Sequence, residues 1–200
     1  MNPLLGIPLG FALSTAAGLR VFVPLLLTSL AARAGFITLT PGMKWMASDA
    51  ALIAFLTAAL VEVTAYYIPW VDNLVDAIAA PAAVTAGVVQ MAAVTPDLPP
   101  LLRWTLAIIA GGTVAGFTQV GTALLRLKSS ALTAGAANPI VATGELLGSI
   151  LLVILGLLLP LLAAVAVIIL LVVLARRLLR RRGRPRVDAS PLPPARGAGG

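Results

Sequence analysis

Residues 139–175 read PIVATGELLGSILLVILGLLLPLLAAVAVIILLVVLA, and this stretch decides the class of fold. Glu145 is its one charged residue, and a run of basic residues begins directly after it at Arg176. As a continuous α-helix the stretch would be about 55 Å long, whereas the hydrocarbon core of a bilayer is about 30 Å thick and is crossed by roughly 20 apolar residues. The stretch therefore predicts a helix in a membrane.

The excess length of this stretch has two explanations. It is either a tilted and kinked helix that projects into the cytoplasm, or its first part is a separate half-helix. A complete additional span is disfavoured, because each of the two pieces would be short. The residues at which the helix can bend or end are Gly144, Gly148, Gly156 and Pro160.

The composition of the whole chain agrees with a membrane protein. Of its 200 residues, 60% are hydrophobic and 10% are charged, whereas soluble domains have about 25% charged residues. The chain contains no Cys and no His, which excludes thiol and His catalysis, disulfides, and zinc or haem sites with such ligands. Since no catalytic motif is recognisable either, we predict a protein that is not an enzyme and that holds no metal or cofactor.

Four further apolar runs precede residue 139, with approximate bounds 4–32, 49–68, 73–94 and 101–125. Together they predict an all-α fold over residues 1–177. This fold is a polytopic membrane helix bundle of about five transmembrane helices, with broken or re-entrant segments where Gly and Pro interrupt the runs. For residues 178–200, which are rich in Arg, Pro and Gly, we expect a disordered tail, because they have too little apolar surface to bury.

The basic residues predict the orientation. Eight of the fourteen Lys and Arg residues lie at Arg176 or beyond, and such clusters are retained on the cytoplasmic side. We therefore predict a multi-pass protein of the bacterial cytoplasmic (inner) membrane with a cytoplasmic C-terminus. Its tail is expected to bind anionic lipid headgroups rather than nucleic acid. Five spans then leave Arg126 and Lys128 outside, which conflicts with the rule.

Ionisable side chains within apolar runs are costly in a bilayer, so they are candidate functional residues. Arg20 lies more than two turns from either end of the first run, and a buried carboxylate partner is expected, with Glu62 the natural candidate. With one amide added, the predicted polar core of a transport path comprises Arg20, Glu62, Asp72, Asp76, Arg126, Asn138 and Glu145.

Several of these residues also have a structural interpretation. Asp72 is placed to cap a helix that begins at Asn73, with Asp76 in its first turn; alternatively, the two carboxylates hold a cation or relay protons. Asn138 before a proline is typical of a helix start, which lies either in a re-entrant element or in an ordinary external loop.

Glu62 and Tyr66 share one face of a helix, because they are four residues apart. They either line a polar path, or Glu62 bonds a neighbouring helix while Tyr66 lies in the interfacial aromatic belt.

Two further patterns concern packing and repetition. The pairs Gly112 with Gly116 and Gly144 with Gly148 allow close approach of helices, within the chain first and between copies in a homo-oligomer second. Residues 10–20 and 116–126 are identical at five of eleven positions. This similarity is either a duplicated half, as in many transporters, or chance in a chain rich in Ala, Gly and Leu.

Three motifs together resemble a known family. They are Gly18-Leu19-Arg20-x-Phe22-x-Pro24-Leu25, Glu62 followed by Ile68-Pro69-x-Val71-Asp72-x-x-x-Asp76, and Asn138-Pro139 followed by Glu145. The set is similar to the bacterial membrane family known as domain of unknown function 4126, over roughly residues 5–165. The resemblance implies no activity and no catalytic residues. The family pattern has a charged or polar pair before the Ile-Pro, where this chain has Tyr66-Tyr67, which argues against a charge relay there.

The charges inside the apolar runs, the interruptions of these runs and the similar stretches favour a small-solute or ion transporter or permease. The alternative is a non-catalytic membrane scaffold or partner subunit that uses the Gly-rich faces and the basic tail. An intramembrane enzyme ranks third, because without His or Cys it would depend on pairs of Asp or Glu.

Overall fold

The computed structural model describes residues 3–67, 69–133 and 135–160, and beyond these residues 162, 165, 167–169, 171–173 and 176. The side chains of residues 3, 4 and 69–77 are not among those described. Residues 178–200 lie outside the described part, so the disordered tail stays a prediction. Within the described part every regular element is a helix, which confirms the all-α class.

The described residues form α-helices joined by a few irregular segments. The 3₁₀ segment Pro41–Ala47 precedes the third α-helix, and the π-helical segment Ala107–Gly112 joins the fifth to the sixth. The α-helices are α1 (Pro3–Leu19), α2 (Phe22–Arg33), α3 (Asp49–Ala65), α4 (Pro69–Ala93), α5 (Pro100–Leu106), α6 (Thr113–Thr133) and α7 (Asn138–Leu158).

The first predicted helix, 4–32, is wrong as a single element. Helix α1 ends at Leu19 and α2 begins at Phe22. The physical cause is Pro24, which has no N–H to donate and whose ring clashes with the carbonyl group four residues earlier, at Arg20. Arg20 and Val21 therefore lie at a break between two helices, in the middle of an apolar run.

Two other helix ends also differ from the sequence prediction. Helix α4 begins at Pro69 rather than at Asn73, so Asp72 is the fourth residue of the helix and does not cap it. Proline is favoured at the first helical position, because its missing N–H has no partner there in any case. The predicted helix 101–125 extends from Pro100 to Thr133, which places Arg126 inside a helix.

The apolar stretch 139–175 divides at Leu159. Helix α7 ends at Leu158, and Leu159 has φ −140° and ψ 67°, outside the helical region. A proline disfavours the helical conformation of the residue before it. Of the predicted break points, Pro160 is therefore the one that is used, and the three glycines lie inside α7. Helix α7 has 21 residues and is long and apolar enough to cross a membrane, so the prediction that each piece would be too short is wrong for α7.

Length and composition qualify two described segments as membrane spans, Pro100–Thr133 and Asn138–Leu158. A third is added if the 3₁₀ segment and α3, which are bent by 63° relative to each other, form one broken span. The other described apolar segments, Leu5–Leu19, Phe22–Arg33 and Ile78–Ala93, are shorter. On this criterion the described residues contain two or three spans, and the predicted number of five is not established.

Helix α1 lies at the centre of the structure and packs against α4, α6 and α7. Several of its inward residues are small: Ala12, Ala16 and Ala17 are fully buried, so neighbouring helices approach closely at these positions. The hydroxyl of Ser14, also fully buried, donates to the carbonyl oxygen of Gly87 in α4 at 2.8 Å. Small residues therefore bring the helices together and orient the residues at the end of α1.

A substitution at the contact between α4 and the π-helical segment tests this close packing. A Cβ atom on Gly111 would lie 2.6 Å from the carbonyl oxygen of Gly87, so Gly111→Ala is expected to lower the free energy of unfolding by about 1–3 kcal/mol. Gly144→Ala is the matched control, because a Cβ on Gly144 meets open space and alanine favours a helix by up to about 1 kcal/mol. Unfolding in mixed detergent and SDS measures both, and equal stability of the two variants would contradict the close contact.

Candidate functional site

Five side chains that are buried in the protein meet beside the break between α1 and α2. They come from the break itself, from the end of α3, from α6 and from α7, and each is at most 7% exposed. We call them the charged cluster, which consists of Arg20, Glu62, Tyr66, Arg126 and Glu145.

Glu145 pairs with both arginines of the charged cluster. Its Oε1 accepts a hydrogen bond from Nε of Arg126 at 3.1 Å, and its Oε2 accepts a second one from Nη2 of the same guanidinium. Oε2 also lies 3.5 Å from Nη2 of Arg20. The pairing with Arg126 is bidentate, which is the strong form of this interaction. The predicted partner of Arg20, Glu62, is therefore not the residue that forms the ion pair.

Tyr66 contacts both guanidinium groups of the charged cluster with its ring. The Cζ atoms of Arg20 and Arg126 lie 3.9 Å and 3.8 Å from the centre of its ring. The electron-rich face of an aromatic ring attracts a cation, so one ring stabilises two positive charges. Tyr66 is 4% exposed, which contradicts its assignment to an interfacial aromatic belt.

Glu62 binds backbone rather than an arginine. Its Oε1 and Oε2 accept hydrogen bonds from the N–H groups of Val21 and Phe22, at 2.6 Å and 2.9 Å. These groups belong to the first turn of α2, whose N–H groups lack partners within the helix. A negative charge is also favoured at this end of a helix. Glu62 therefore caps α2 from another helix and stabilises the break.

Arg20 is the member of the charged cluster whose hydrogen-bond donors are least satisfied. Its Nη2 donates to the carbonyl oxygen of Ala142 at 2.7 Å, but its Nε and Nη1 have no hydrogen-bond partner among the described residues. Buried donors normally have partners. The residue is 2% exposed, so the N–H groups of these two nitrogens are available to an acceptor that reaches the interior.

A family model described as Domain of unknown function (DUF4126) matches residues 7–181. The chain belongs to this family. The match confirms the resemblance and extends past residue 165 into the basic segment that follows the apolar stretch. No curated protein and no solved structure matches the chain at the significance that we required.

Four of the seven predicted polar-core residues of this DUF4126 protein meet in the charged cluster: Arg20, Glu62, Arg126 and Glu145. The side chains of Asp72 and Asp76 lie outside the described residues. Asn138 does not cap α7, because it is the first helical residue and Ala137 precedes it. Its side-chain Nδ2 donates instead to Oγ of Ser130 at 3.0 Å, across the short turn from α6 to α7.

The predicted Gly pairs of the DUF4126 chain lie on different surfaces. Gly112 and Gly116 face valine side chains of α4, and Gly148 faces Leu19 of α1, whereas Gly144 faces open space. Three of the four thus lie at contacts within the chain. Among the described residues, no group of three or more Asp and Glu side chains could hold a metal ion.

The sequence analysis did not find two buried polar contacts between helices. Thr28 donates to Oε1 of Gln90 at 3.0 Å, and Ser149 donates to the carbonyl oxygen of Ala16 at 3.2 Å. Gln90, an amide inside an apolar run, is the available signal for the first contact. The two similar stretches end at Arg20 and Arg126, which face the same carboxylate, while the duplication itself stays a prediction.

Proposed function

We propose that the protein is a multi-pass protein of the bacterial cytoplasmic membrane that passes a small solute or ion across the bilayer. The observation that carries the proposal is the charged cluster, which four segments of the chain bring together at the break between α1 and α2. In transporters, substrate and ion sites lie near the middle of the membrane where helices are interrupted. Irregular backbone at that depth occurs where it is buried in protein or lines a cavity.

The distribution of polar and apolar side chains supports placement in lipid. Helix α7 exposes Ile140 and Leu147 at 75% and 61%, whereas its Glu145 and Ser149 are buried at 5% and 0%. In water, an apolar surface of this kind promotes aggregation. In a bilayer it is favourable, and small polar residues form hydrogen bonds between helices inside the bundle. This supports about five spans, with α1 and α2 forming one broken span.

The burial of Arg126 reduces the conflict between a cytoplasmic C-terminus and the positive-inside rule to one residue, the exposed Lys128. Its guanidinium is 5% exposed and paired with Glu145, so the residue does not lie on an external loop. The positive-inside rule counts basic residues in short loops. Arg126 is buried inside a helix, so it is not counted. The arginine cluster from Arg176 onward then favours a C-terminus in the cytoplasm.

Flux through the purified protein in liposomes tests the transport proposal. We expect movement of one of a panel of probes (protons, potassium, chloride and small neutral solutes) above that of empty liposomes. Glu145→Gln is expected to abolish it, because the neutral amide no longer balances two buried arginines. Asp49→Asn is the control, since Asp49 forms only an exposed pair with Arg33. Equal flux in the Glu145 variant and the unchanged protein would exclude a role of the cluster in transport.

A membrane scaffold or partner subunit is the second candidate function. One observation favours it. Each carboxylate oxygen of Glu62 and Glu145 already accepts a hydrogen bond. Such a cluster stabilises a fold without moving. The basic tail would then bind anionic lipid headgroups with about 1 kcal/mol per basic residue, and Gly144 would be available to a second copy in a homo-oligomer.

Removing the residues after Arg182 separates the two functions. A transporter retains its flux, because the charged cluster is distant in sequence from the tail. A scaffold that depends on the tail loses its localisation or its partner.

A further inference from the structure

A partly open cavity of 620 Å³ lies between α3 and α4, beside the first residues of α2. Its walls include Ala54, Ala58 and Val61 of α3 and Ala79 of α4, and it reaches Glu62 and Tyr66 at the edge of the charged cluster. The volume is within the range of about 300–1,000 Å³ that is typical of sites for small ligands. The described residues thus form a site that neither function proposed above uses.

The polar groups on the cavity wall already have partners. Both oxygens of Glu62 accept N–H groups of α2, and the hydroxyl of Thr57 donates to the carbonyl oxygen of Ile53 in its own helix at 2.9 Å. The ring of Tyr66 is in contact with two guanidinium groups. A polar ligand would lose its hydrogen bonds to water on entry and find none to replace them, which is costly. The occupant is therefore apolar.

The side chains at the opening of the cavity indicate whether the occupant enters from water or from lipid. Val61 and Ile78 line the cavity and are 63% and 62% exposed, so the opening is bordered by aliphatic side chains. An opening of this composition communicates with the hydrocarbon of a bilayer. The most abundant apolar groups in that hydrocarbon are the acyl chains of phospholipids.

We propose that the cavity between α3 and α4 binds one acyl chain of a membrane phospholipid. The proposal rests on the placement in a membrane that is proposed above, but not on transport. The chain lies along α3 with its end near Tyr66, and burial of its methylene groups stabilises it by removing apolar surface from contact with less closely packed lipid.

Photolabelling with a lipid probe tests this site. The protein is placed in liposomes that contain phosphatidylcholine with a diazirine at the end of one acyl chain, irradiated, and mapped by mass spectrometry. The informative position is Ala79, which lines the cavity but is only 5% exposed. An Ala79 adduct that disappears when the cavity is filled requires a chain inside the cavity, whereas an adduct on the outward Leu147 of α7 requires only surrounding lipid.

We expect adducts at both Ala79 and Leu147 in the unchanged protein. Ala58→Phe fills the cavity from α3 and is expected to remove the Ala79 adduct and leave the Leu147 adduct. Ala80→Phe is the matched control, because Ala80 is exposed and does not line the cavity, and it should retain both. Ala82→Phe fills the cavity from α4 and serves if the Ala58 variant does not fold.

Two results would overturn the proposal, and they have different meanings. Adducts at Leu147 without any at Ala79, or an Ala79 adduct that survives both filling substitutions, would show that lipid surrounds the protein but does not enter the cavity. The absence of adducts at both positions would show that the protein is not placed in lipid as proposed, and the acyl-chain site would fail together with that placement.

Discussion

Replacing Glu145 with alanine is expected to lower the free energy of unfolding by about 3–5 kcal/mol, the usual cost of removing one partner from a buried ion pair. The carboxylate is the only one in the charged cluster that faces arginines, and it is 5% exposed. Without it, Arg126 loses two hydrogen bonds and Arg20 loses its nearest negative charge. Arg20 and Arg126 are 2% and 5% exposed, so bulk water has little contact with the groups that lose their partner.

The loss is measured as the shift of the unfolding transition in mixed detergent and SDS. Asp49→Ala is the matched control, because Asp49 also pairs with an arginine, Arg33, at 2.7 Å, but its side chain is 83% exposed. Exposed pairs of this kind contribute about 0–1 kcal/mol. If both alanine variants unfolded at the same SDS fraction, the burial of the charged cluster described above would be wrong.

A double variant distinguishes lost pairing from lost packing. When Arg126 and Glu145 are both replaced by methionine, no charge of that pair remains unpaired, and apolar replacements of buried ion pairs are often neutral or stabilising. We therefore expect the double variant to be more stable than Glu145→Ala alone. If the double variant lost as much free energy of unfolding as the two single variants together, Arg126 and Glu145 would contribute to stability independently, and the pairing itself would contribute nothing.

The sequence was sufficient to select the charged residues but not to pair them. Arg20, Glu62, Arg126 and Glu145 stand out, because each is an ionisable residue in an apolar run, and an ionisable residue is costly there. Pairing depends on the rotation and depth of each helix, which periodicity does not specify. Glu62 looked like the partner of Arg20 because it lies inside the next apolar run, about two turns before the end of the predicted helix. The fold instead brings Glu145 to Arg20 from much further along the chain.

The sequence marks the break between α1 and α2 by a proline, Pro24, and an average of hydropathy does not detect it. An average of apolarity over residues 4–32 gives one continuous helix, since Pro24 is itself tolerated in apolar segments. The steric rule for proline gives the break at Arg20. Tyr66 was misplaced for a similar reason: its position next to Tyr67 suggested an interfacial belt, and only the three-dimensional contacts show that it packs against two arginines.

Replacing Glu62 with alanine is expected to destabilise α2 locally as well as the whole protein. The N–H groups of Val21 and Phe22 would lose their acceptors, and each unsatisfied buried donor costs about 1–3 kcal/mol. Pro24 prevents the chain from forming the alternative, a continuous helix from α1 into α2, because it has no N–H for such a ladder. The two donors would therefore remain unpaired or draw water to the break.

Hydrogen exchange of the backbone amides measures this effect at its place of origin. In Glu62→Ala, the amides of Val21 and Phe22 are expected to exchange much faster, together with those of the following turn of α2, while α7 keeps its protection. Glu62→Gln retains one acceptor oxygen, so the exchange rates of these amides should lie between those of the unchanged protein and those of Glu62→Ala. Thr64→Ala on an exposed position of the same helix removes a hydroxyl that bonds within α3 and should change nothing at α2. Unchanged protection of Val21 and Phe22 in Glu62→Ala would mean that another group caps α2, and the break would then not depend on this carboxylate.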